Sequence, residues 1–532
     1  MWHGCISELL GSTSMPALVG AVLTFCVLAA MTRSLLFYFS GPLSKVPGPF
    51  LNSFSNIPLF YNIIRGTYYE YSIKLHTQYG DLVRIGCDHV SLSNASELRR
   101  ILATHSFRKG ANYERSMFDK PSVFSTTDAD LNRTRRRQLG SLYSMASIRA
   151  MEDLVLEHGV LSLIKSWDGA LATSKTHESK TATVSYYYGF HGIGFDVIGI
   201  LGFGQSFNVI SQGDTTMADA IHGMMTLLAL FGRLPVTRKM RWAFPRLFAA
   251  KDYVATIGTR AIESRKSFVK KNGKPPCIDI LQKLIDARDP ETGQAIDMPS
   301  LVSETAALLV AGTDTTSNTM SWTMMHLLHY PQAYQRLCSD IRKAFPDHLT
   351  PIRYEEARAR LPYLTAVISE SMRLNPTVAG YLPRRLPAAN DGGGSGVDLC
   401  GYFIPSDSAA ATTEICLAFA ASHRCSTTWP NPHVFDPERF LGPDAEANAK
   451  NMLAFSSGAR MCMGRNLAWV EMYTTLANLL RRYDFRLPAN APYGPHRLRN
   501  GIPEEIPGTA FVTGGPKFPK RDCLVEISLA AC

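Results

Sequence analysis

Apolar residues recur every three or four positions along most of this 532-residue chain, and this spacing predicts a protein built mainly of helices. A modest alternation of period two appears in residues 81–85 and 90–92, which predict two short strands around a turn. No internal repeat is visible. The pattern therefore predicts the α+β class, mainly α with small β-sheets.

The first strongly apolar stretch lies at the N-terminus. Residues 15–31 contain no charge, and the apolar character resumes after Arg33 over residues 35–39. If Arg33 extends towards the interface, the whole stretch is long enough to span a bilayer. A cleaved signal peptide is the alternative, but residues 1–14 contain no Lys or Arg. We therefore predict a single-pass N-terminal membrane anchor over residues 1–40.

The positive charges follow this anchor instead of preceding it. By the positive-inside rule, this arrangement predicts that the remaining body, residues 51–532, faces the cytosol. Pro42 and the run Pro47-Gly48-Pro49 cannot continue a helix, so residues 41–50 are predicted to form a stiff, proline-rich hinge.

The formal net charge is +10 and the pI is about 9.0, values that suit an anionic membrane surface or an acidic protein partner. Nucleic acid is not an expected partner, because the sequence has no recognition helix, aromatic-basic alternation or zinc-type cysteine spacing. Eleven cysteines, an odd number without a C-x-x-C pair, argue against a disulfide framework and for a reducing compartment.

One cysteine lies in a loop of small residues that leads into a helical run. A helix N-terminus stabilises a thiolate through free N–H groups and the helix dipole. Arg460, two residues earlier, supplies a cation for a carboxylate. A lone cysteine is more often a buried structural residue, but its neighbours at fixed offsets favour a cysteinate ligand to haem iron. The stretch is Phe455-Ser-Ser-Gly458-Ala-Arg460-Met-Cys462-Met-Gly464.

This decapeptide resembles the haem-binding signature of the cytochrome P-450 family, Phe-x-x-Gly-x-Arg-x-Cys-x-Gly, at every place. The resemblance implies haem b, with Cys462 as the iron ligand and Arg460 bound to a haem propionate. Phe455 and Gly464 belong to the same cofactor site. It also implies one catalytic domain of about this length, so residues 51–532 are not divided further.

A second motif lies in a long helical run over residues 301–328. The segment from Ala311 to Thr316 matches the family pattern Ala-Gly-x-Asp/Glu-Thr-Thr. A carboxylate and a hydroxyl in a dry setting can pass protons inward, so Asp314 and Thr315 are the predicted catalytic residues. The alternative is that Thr315 bonds back to its own helix while Asp314 is exposed. Ala311 and Gly312 are expected to leave room for dioxygen and substrate.

The resemblance implies two further propionate-binding arginines. Arg136 lies in a basic helix at the register of the family arginine, although Asn132 stands where Trp or His is usual. Arg384 follows Leu382 and Pro383 in a predicted strand, and it is preferred to Arg385 because adjacent strand residues face opposite ways.

An ion network behind the haem is implied by two other motifs. Glu370 and Arg373 lie three residues apart on one helical face, and Arg439 lies in Pro437-Glu-Arg-Phe. We assign all three a structural role. In contrast, residues 186–207 are predicted to be a buried helix followed by a glycine-rich loop, and we treat them as core without chemistry.

The resemblance, closest in style to fungal microsomal members, implies a membrane-bound monooxygenase of the endoplasmic reticulum. It would insert one oxygen atom from O2 into an apolar small molecule by hydroxylation or epoxidation, and the process can have several steps. Electrons would come from NADPH through a flavoprotein reductase, which Arg460, Arg465 and Lys450 would attract. A terpenoid or polyketide secondary metabolite is the expected kind of substrate.

Two other functions remain open at this stage. One is a haem-thiolate isomerase or dehydratase that needs no reductase, and the other is a non-catalytic haem-binding protein. Substrate contacts are expected around residues 107–127, 205–235, 377–382, which include Val378, and 508–513. These segments are apolar and indicate no chemical class.

Overall fold

The computed structural model describes residues 15–115, 120–174, 181–274, 279–289, 292–387, 394–406 and 413–530. Within these ranges helices dominate, and short strands form small sheets that lie beside the helical body. The predicted class, mainly α with small β-sheets, is confirmed.

The helices include several of five residues or fewer and several that exceed 25 residues. In chain order the α-helices are α1 Met15–Ser40, α2 Phe50–Phe54, α3 Ile57–Ile64, α4 Tyr68–Tyr79, α5 Ala95–Ala103, α6 Asn112–Arg115, α7 Ala129–Gly140, α8 Met145–Ala150, α9 Glu152–Val155, α10 Ser162–Thr173, α11 Tyr186–Phe203, α12 Val209–Gln212, α13 Thr216–Arg233, α14 Pro245–Asn272, α15 Ile280–Asp286, α16 Met298–His329, α17 Pro331–Ala344, α18 Tyr354–Arg360, α19 Pro362–Leu374, α20 Phe419–Ser422, α21 Ala445–Asn451, α22 Arg465–Arg482 and α23 Pro519–Asp522. A π-helical turn lies at Leu156–Leu161, and 3₁₀ turns lie at Ser141–Tyr143, Pro235–Lys239, Pro437–Phe440 and Gly458–Arg460.

The strands are short, and each sheet has four strands or fewer. They are β1 Leu82–Arg84, β2 His89–Leu92, β3 Ala182–Ser185, β4 Pro383–Arg385, β5 Gly396–Leu399, β6 Tyr402–Pro405, β7 Glu414–Leu417, β8 Tyr483–Arg486, β9 Leu498–Arg499, β10 Ile502–Pro503, β11 Gly508–Ala510, β12 Gly514–Pro516 and β13 Leu524–Leu529. The largest sheet has the order β1-β2-β7-β4, with β2 and β7 parallel and the other pairs antiparallel. A second sheet has the order β3-β13-β8, and the remaining strands form three hairpins.

The two strands predicted from alternation are the first pair of the largest sheet. In β1 and β2, Leu82 lies opposite Leu92 and Arg84 opposite Val90. All seven residues are buried, because helices and the hinge cover this end of the sheet. The prediction is therefore confirmed, with boundaries shifted by at most one residue.

Helix α16 is the central element of the helical body. The Asp297 side chain caps its N-terminus by accepting a hydrogen bond from the Ser300 N–H at 3.0 Å, and Pro299 lies in its first turn. Its 32 residues correspond to about 48 Å at 1.5 Å per residue. Most of its side chains are buried on every face, as expected for a helix that other elements surround.

Helices α11 and α16 cross closely because glycines lie at the crossing. A Cβ atom on Gly194 of α11 would lie 2.7 Å from Ser317 Oγ, and one on Gly312 of α16 would lie 2.6 Å from Ile198 Cδ1. Each glycine thus admits a side chain of the other helix. The sequence assigned Gly312 to the substrate space, but the structure places it against α11.

The N-terminal helix and hinge differ in part from the predictions. Helix α1 covers residues 15–40 of the predicted anchor, and residues 1–14 lie outside the described residues. The described part of the chain contains no helix long and apolar enough to cross a membrane. In the hinge, Leu43 and Val46 are buried in the core cluster of the largest sheet. The Arg84 N–H also donates to Pro47 O at 2.7 Å, so the hinge is attached to the body.

Candidate functional site

The loop before α22 presents Cys462. Ser456 and Gly458 both have positive φ angles, 61° and 55°, and Gly458 approaches α5 so closely that a Cβ would lie 2.6 Å from Ala103 Cα. The Cys462 N–H donates to Phe455 O at 2.9 Å, which closes the loop. The glycine in the signature is therefore required both by its backbone conformation and by its contact with α5.

The Cys462 side chain is both accessible and closely surrounded by protein. The residue retains accessible surface, yet burial raises the pKa of its thiol above the ordinary value. The Gly464 N–H, Arg136 and Arg465 act in the opposite direction without outweighing burial. The helix N-terminus thus contributes as predicted, and a metal ion bound to the sulfur would add to the stabilisation of the thiolate.

Arg136 lies beside this loop, as its sequence register predicts. Its Nη1 donates to Met461 O at 2.9 Å and its Nε to Asn132 Oδ1 at 3.2 Å. The Asn132 amide in turn donates to Val123 O at 2.8 Å. Asn132, which departs from the family pattern, therefore orients the arginine and ties α7 to the preceding loop.

Arg460 is buried and unpaired. Its Nε, Nη1 and Nη2 atoms have no hydrogen-bond partner among the described residues. Burial, and after it the charges of Arg384 and Arg136, lower the pKa of Arg460 to about 10. A guanidinium with buried, unsatisfied donors is costly, because each missing bond leaves a desolvated polar group.

Lys109 adds a cation that the sequence did not indicate. It is buried, pairs through an isolated β-bridge with Arg384 and donates to Phe124 O. Burial, then Arg384, Arg460 and Arg136, hold its pKa well below the ordinary value. No local pattern marks Lys109, because its partners are far away along the chain.

Arg384 is the buried member of its arginine pair. Its Nη1 donates to Tyr113 Oη at 2.9 Å and to Pro383 O at 3.0 Å, whereas Arg385 is only half-buried. Lys109, Arg136, Arg384 and Arg460 form a group of four cations, in which the charges of Arg384 and Arg136 lower the pKa values of both Lys109 and Arg460. We refer to these four residues as the cation cluster.

The cation cluster and Cys462 fit a haem. Two propionates would supply the anions that the cluster lacks, including acceptors for the unpaired Arg460, while the sulfur would ligate the iron. Met463, next to Cys462, packs against the core cluster that contains Leu309 and Val310 of α16. The sulfur loop and the central helix thus contribute to the same core cluster.

On the α16 side, Ala311 is exposed and Thr315 half-buried, although most of the helix around them is buried. They are four residues apart, so both lie on one face. The Thr315 hydroxyl donates to Ala311 O at 2.8 Å. This is the bond to its own helix that the sequence left open as the alternative to a catalytic role. Because its hydrogen is used there, the hydroxyl oxygen remains an acceptor towards the interior space.

Asp314 is buried, contrary to the alternative that exposes it. Its Oδ1 lies 3.3 Å from His191 Nε2 on α11, and it also contacts Thr513. Burial raises the pKa of Asp314, but His191, Thr513 and the charge of His222 together lower it below its ordinary value. His191 lies in the segment that sequence reasoning treated as core without chemistry, which is corrected here.

The loop that contains Val378 meets the β11–β12 hairpin. The Gly514 N–H donates to Thr377 O at 2.6 Å, and any side chain on Gly380 would clash with Phe511 O. Val378 itself is half-buried and packs against the core cluster of the largest sheet. Two of the predicted substrate-contacting segments are therefore neighbours.

The predicted ion network is complete. Arg373 Nε and Nη2 donate to Glu370 Oε2 and Oε1 at 2.6 and 2.8 Å, and Arg439 Nε donates to Oε1 at 3.3 Å. The Arg373 Nη1 donates to His423 O and Pro432 O. Glu370 and Arg373 are fully buried, and every charged group has a partner.

Comparison with known proteins gives consistent results. The family model for Cytochrome P450 matches residues 46–498. Cytochrome P450 monooxygenase helB1 of Aspergillus fumigatus is 31% identical over 519 residues, 95% of this chain and 85% of the relative. Cytochrome P450 monooxygenase helB3 of the same species is 30% identical over 513 residues, which cover 95% of this chain and 97% of the relative.

A more distant relative and a solved structure extend this picture. Cytochrome P450 monooxygenase FUS8 of Gibberella moniliformis is 27% identical over 495 residues, which covers 90% of each chain. The crystal structure of the cytochrome P450DA heme domain superposes with a TM-score of 0.72 at 17% identity, with 91% of this chain and 98% of that chain covered. At this low sequence identity, the similarity to the solved structure shows a shared fold.

Proposed function

The chain belongs to the cytochrome P450 family, whose similar members are named monooxygenases, and from that premise we propose a membrane-bound haem-thiolate monooxygenase that uses NADPH through a separate reductase. The observation that carries the proposal is the buried cation cluster beside an accessible Cys462. An apolar small molecule, such as a fungal terpenoid or polyketide metabolite, is the proposed substrate.

Haem would be held by Cys462 at the iron and by Arg136, Arg384, Arg460 and Lys109 at the propionates. When bound, haem supplies dioxygen activation, which an anionic sulfur ligand promotes. The chain itself excludes bulk water, because α16 and the core around it are buried. Ala311 would face the substrate together with the neighbouring Val378 and Phe511 segments.

Proton supply is the proposed role of Thr315 and Asp314. The Thr315 oxygen can accept a hydrogen bond from a group in the interior space, because its own hydrogen is bonded to Ala311 O. Buried Asp314 supplies a titratable group one residue away. A haem-thiolate isomerase or dehydratase would need no such pair, so this arrangement favours the monooxygenase.

The proposed reductase surface lies around the sulfur loop. Arg137 of α7 and Arg465 of α22 are exposed there and can attract an acidic partner. Two residues of the sequence-based proposal contribute less. Arg460 is buried, and Lys450 forms an ion pair with Glu446 at 2.7 Å.

Attachment to the endoplasmic reticulum, with the body in the cytosol, remains part of the proposal. It is supported by large apolar side chains exposed on α2 and α3 and after α13, where Ile57 is 73% and Trp242 80% exposed. Such side chains suit an interfacial contact, which could add to an N-terminal anchor.

The substitution Cys462→Ser tests the proposal most directly. Wild type should give the red-shifted Soret band of a thiolate ligand after reduction and CO binding, and the variant should lose it. Arg385→Leu, which leaves the sulfur loop intact, is the control that should keep the band. A band that persists unchanged in Cys462→Ser would refute this residue as the ligand.

A further inference from the structure

The Asp314 carboxylate is held by elements outside its own helix. His191 of α11 approaches it at 3.3 Å, Thr513 of the β11–β12 hairpin bonds to it, and the charge of His222 on α13 acts on it. On α16, the Asn318 amide donates to the Asp314 backbone oxygen at 2.8 Å. Tyr187 of α11 is the other titratable group that faces this carboxylate.

The hydrogen bonds of His191 define its protonation. Its Nδ1 lies 2.9 Å from Tyr187 O, a carbonyl that can only accept, so Nδ1 must carry a proton. Its Nε2 faces a carboxylate, which when ionised also only accepts. A neutral imidazole has one N–H, so it cannot make both bonds. The pair of His191 and ionised Asp314 therefore needs a second proton on the ring.

We propose that His191 is an imidazolium that holds a proton for Asp314 and that this pair is the proton store of the Asp314–Thr315 relay. The inference rests on the proposed monooxygenase function. His191 is 2% exposed and packs against the Tyr187 ring at a centroid distance of 4.0 Å with an interplanar angle of 31°, so its position is fixed. It is a positioning and proton-holding residue that acts through Asp314.

The helix crossing makes this contact possible. Gly194 lies almost one turn after His191, and its missing side chain lets α11 approach α16 at Ser317. A larger residue there would push the two helices apart and lengthen the His191–Asp314 contact. The glycine thus supports the site indirectly, through the separation of the two helices.

The proposed transfer is a balanced proton relay without electrons. His191 Nε2 gives its proton to the Asp314 carboxylate, and Asp314 then releases that proton towards the Thr315 side, which leaves the carboxylate ionised and the imidazole neutral. The ring keeps its Nδ1 proton on Tyr187 O, and Nε2 is reprotonated from water. His222, which is exposed, is the accessible titratable group near this carboxylate. Consecutive helical residues point about 100° apart, so Asp314 must turn or use a water molecule to reach Thr315.

The first test is spectroscopic and does not depend on turnover. His89, which lies between the carboxylates of Asp88 and Glu414, is expected to be one histidine with both nitrogens protonated. Histidine side-chain nitrogen NMR of the haem-loaded, reduced, CO-bound protein at about pH 8 should show a second such histidine, where an ordinary imidazole is neutral. That signal should vanish in His191→Gln. A neutral His191 at this pH would overturn the proposal.

The second test measures turnover with the reductase and no added substrate. The His191→Gln side chain can still donate a hydrogen bond to Asp314 but cannot release a proton. The rate of peroxide formation at saturating NADPH should therefore fall by about tenfold. Its dependence on pH between about 6 and 8 should also disappear. The matched control His326→Gln replaces a buried histidine that bonds to Asn375 at 2.7 Å, and it should behave as wild type.

The two proposals fail in different ways. If wild type lacks the thiolate spectrum, the monooxygenase function itself is wrong. If the spectrum is present and His191→Gln keeps the rate and pH profile of wild type, only the role of His191 is wrong. His191→Phe, which keeps a ring against Tyr187 but no hydrogen bond, should be at least as impaired as His191→Gln.

Discussion

Two groups of buried arginines in this protein differ in whether their charges are matched. Around Glu370, both arginines have carboxylate or carbonyl partners within 3.3 Å. In the cation cluster, Arg460 has no partner among the described residues, and its neighbours are cations too. The difference shows that a network in which every charge has a partner stabilises the fold. A cluster of like charges with unpaired donors instead indicates where a ligand of opposite charge binds.

The largest expected effect comes from breaking the satisfied network. Glu370→Ala leaves Arg373 buried without its carboxylate and should destabilise the protein by about 3–5 kcal/mol. Urea unfolding of the haem-loaded protein, followed by circular dichroism, measures this. Glu370→Gln keeps the shape and part of the hydrogen bonding, so it should lose less. A loss below about 1 kcal/mol in Glu370→Ala would remove the contrast between the two groups.

A smaller effect, in a different observable, is expected in the cation cluster. Arg460→Leu should weaken haem retention by about 1.5–3 kcal/mol, roughly ten- to a hundredfold, because bonds to a charged propionate are lost. The rate of haem transfer to apomyoglobin measures retention.

Adjacent arginines offer a matched pair for the same assay. Arg384→Leu should also speed haem loss, whereas Arg385→Leu, on the other side of β4, should not. Equal effects of the two substitutions would mean that the cluster does not bind the propionates. In haem-free protein, Arg460→Leu should not destabilise the fold, because it removes a repelled charge.

The smallest expected effect concerns a buried carboxyl group without a partner, which extends the comparison from arginines to an acidic residue. Both carboxylate oxygens of Glu471 on α22 lack partners among the described residues, and burial raises its pKa well above the ordinary value of 4.5. Above that pH the unfolded state releases a proton that the folded state retains, so wild type loses stability as pH rises.

Glu471→Gln removes this dependence. Over the first pH unit above pH 4.5, the variant should gain at most about 1.4 kcal/mol of stability relative to wild type. Urea midpoints at several pH values measure the slope. Parallel stability curves would show that Glu471 is ionised in the folded protein and has found a partner.

Local motifs were predictable, whereas contacts across the chain were not. The sulfur loop could be predicted because Gly458 and Cys462 act within ten residues. The roles of Arg136 and Arg384 were implied by the family resemblance, and strand alternation favoured Arg384 over Arg385. Lys109 and His191 were missed. Lys109 pairs with a strand far along the chain, and His191 meets Asp314 across 123 residues.

Gly312 shows the opposite error. Its place in a motif suggested open space, but the space is filled by Ile198 of the crossing helix. A missing side chain can accommodate either a ligand or a neighbouring element, and the local sequence does not distinguish the two. The central helix itself was predicted well because its long apolar run is visible without knowledge of its neighbours.

The attachment of the hinge to the largest sheet has a practical consequence for shortening the chain. Leu43 is 1% exposed, Pro47 O accepts from the Arg84 N–H, and a side chain on Gly48 would clash with Arg84 O. A version for crystallisation should therefore start at Gly41 or earlier. A truncation after Gly48 would expose the edge of β1 and the apolar residues that Leu43 covers, and the shortened protein would aggregate.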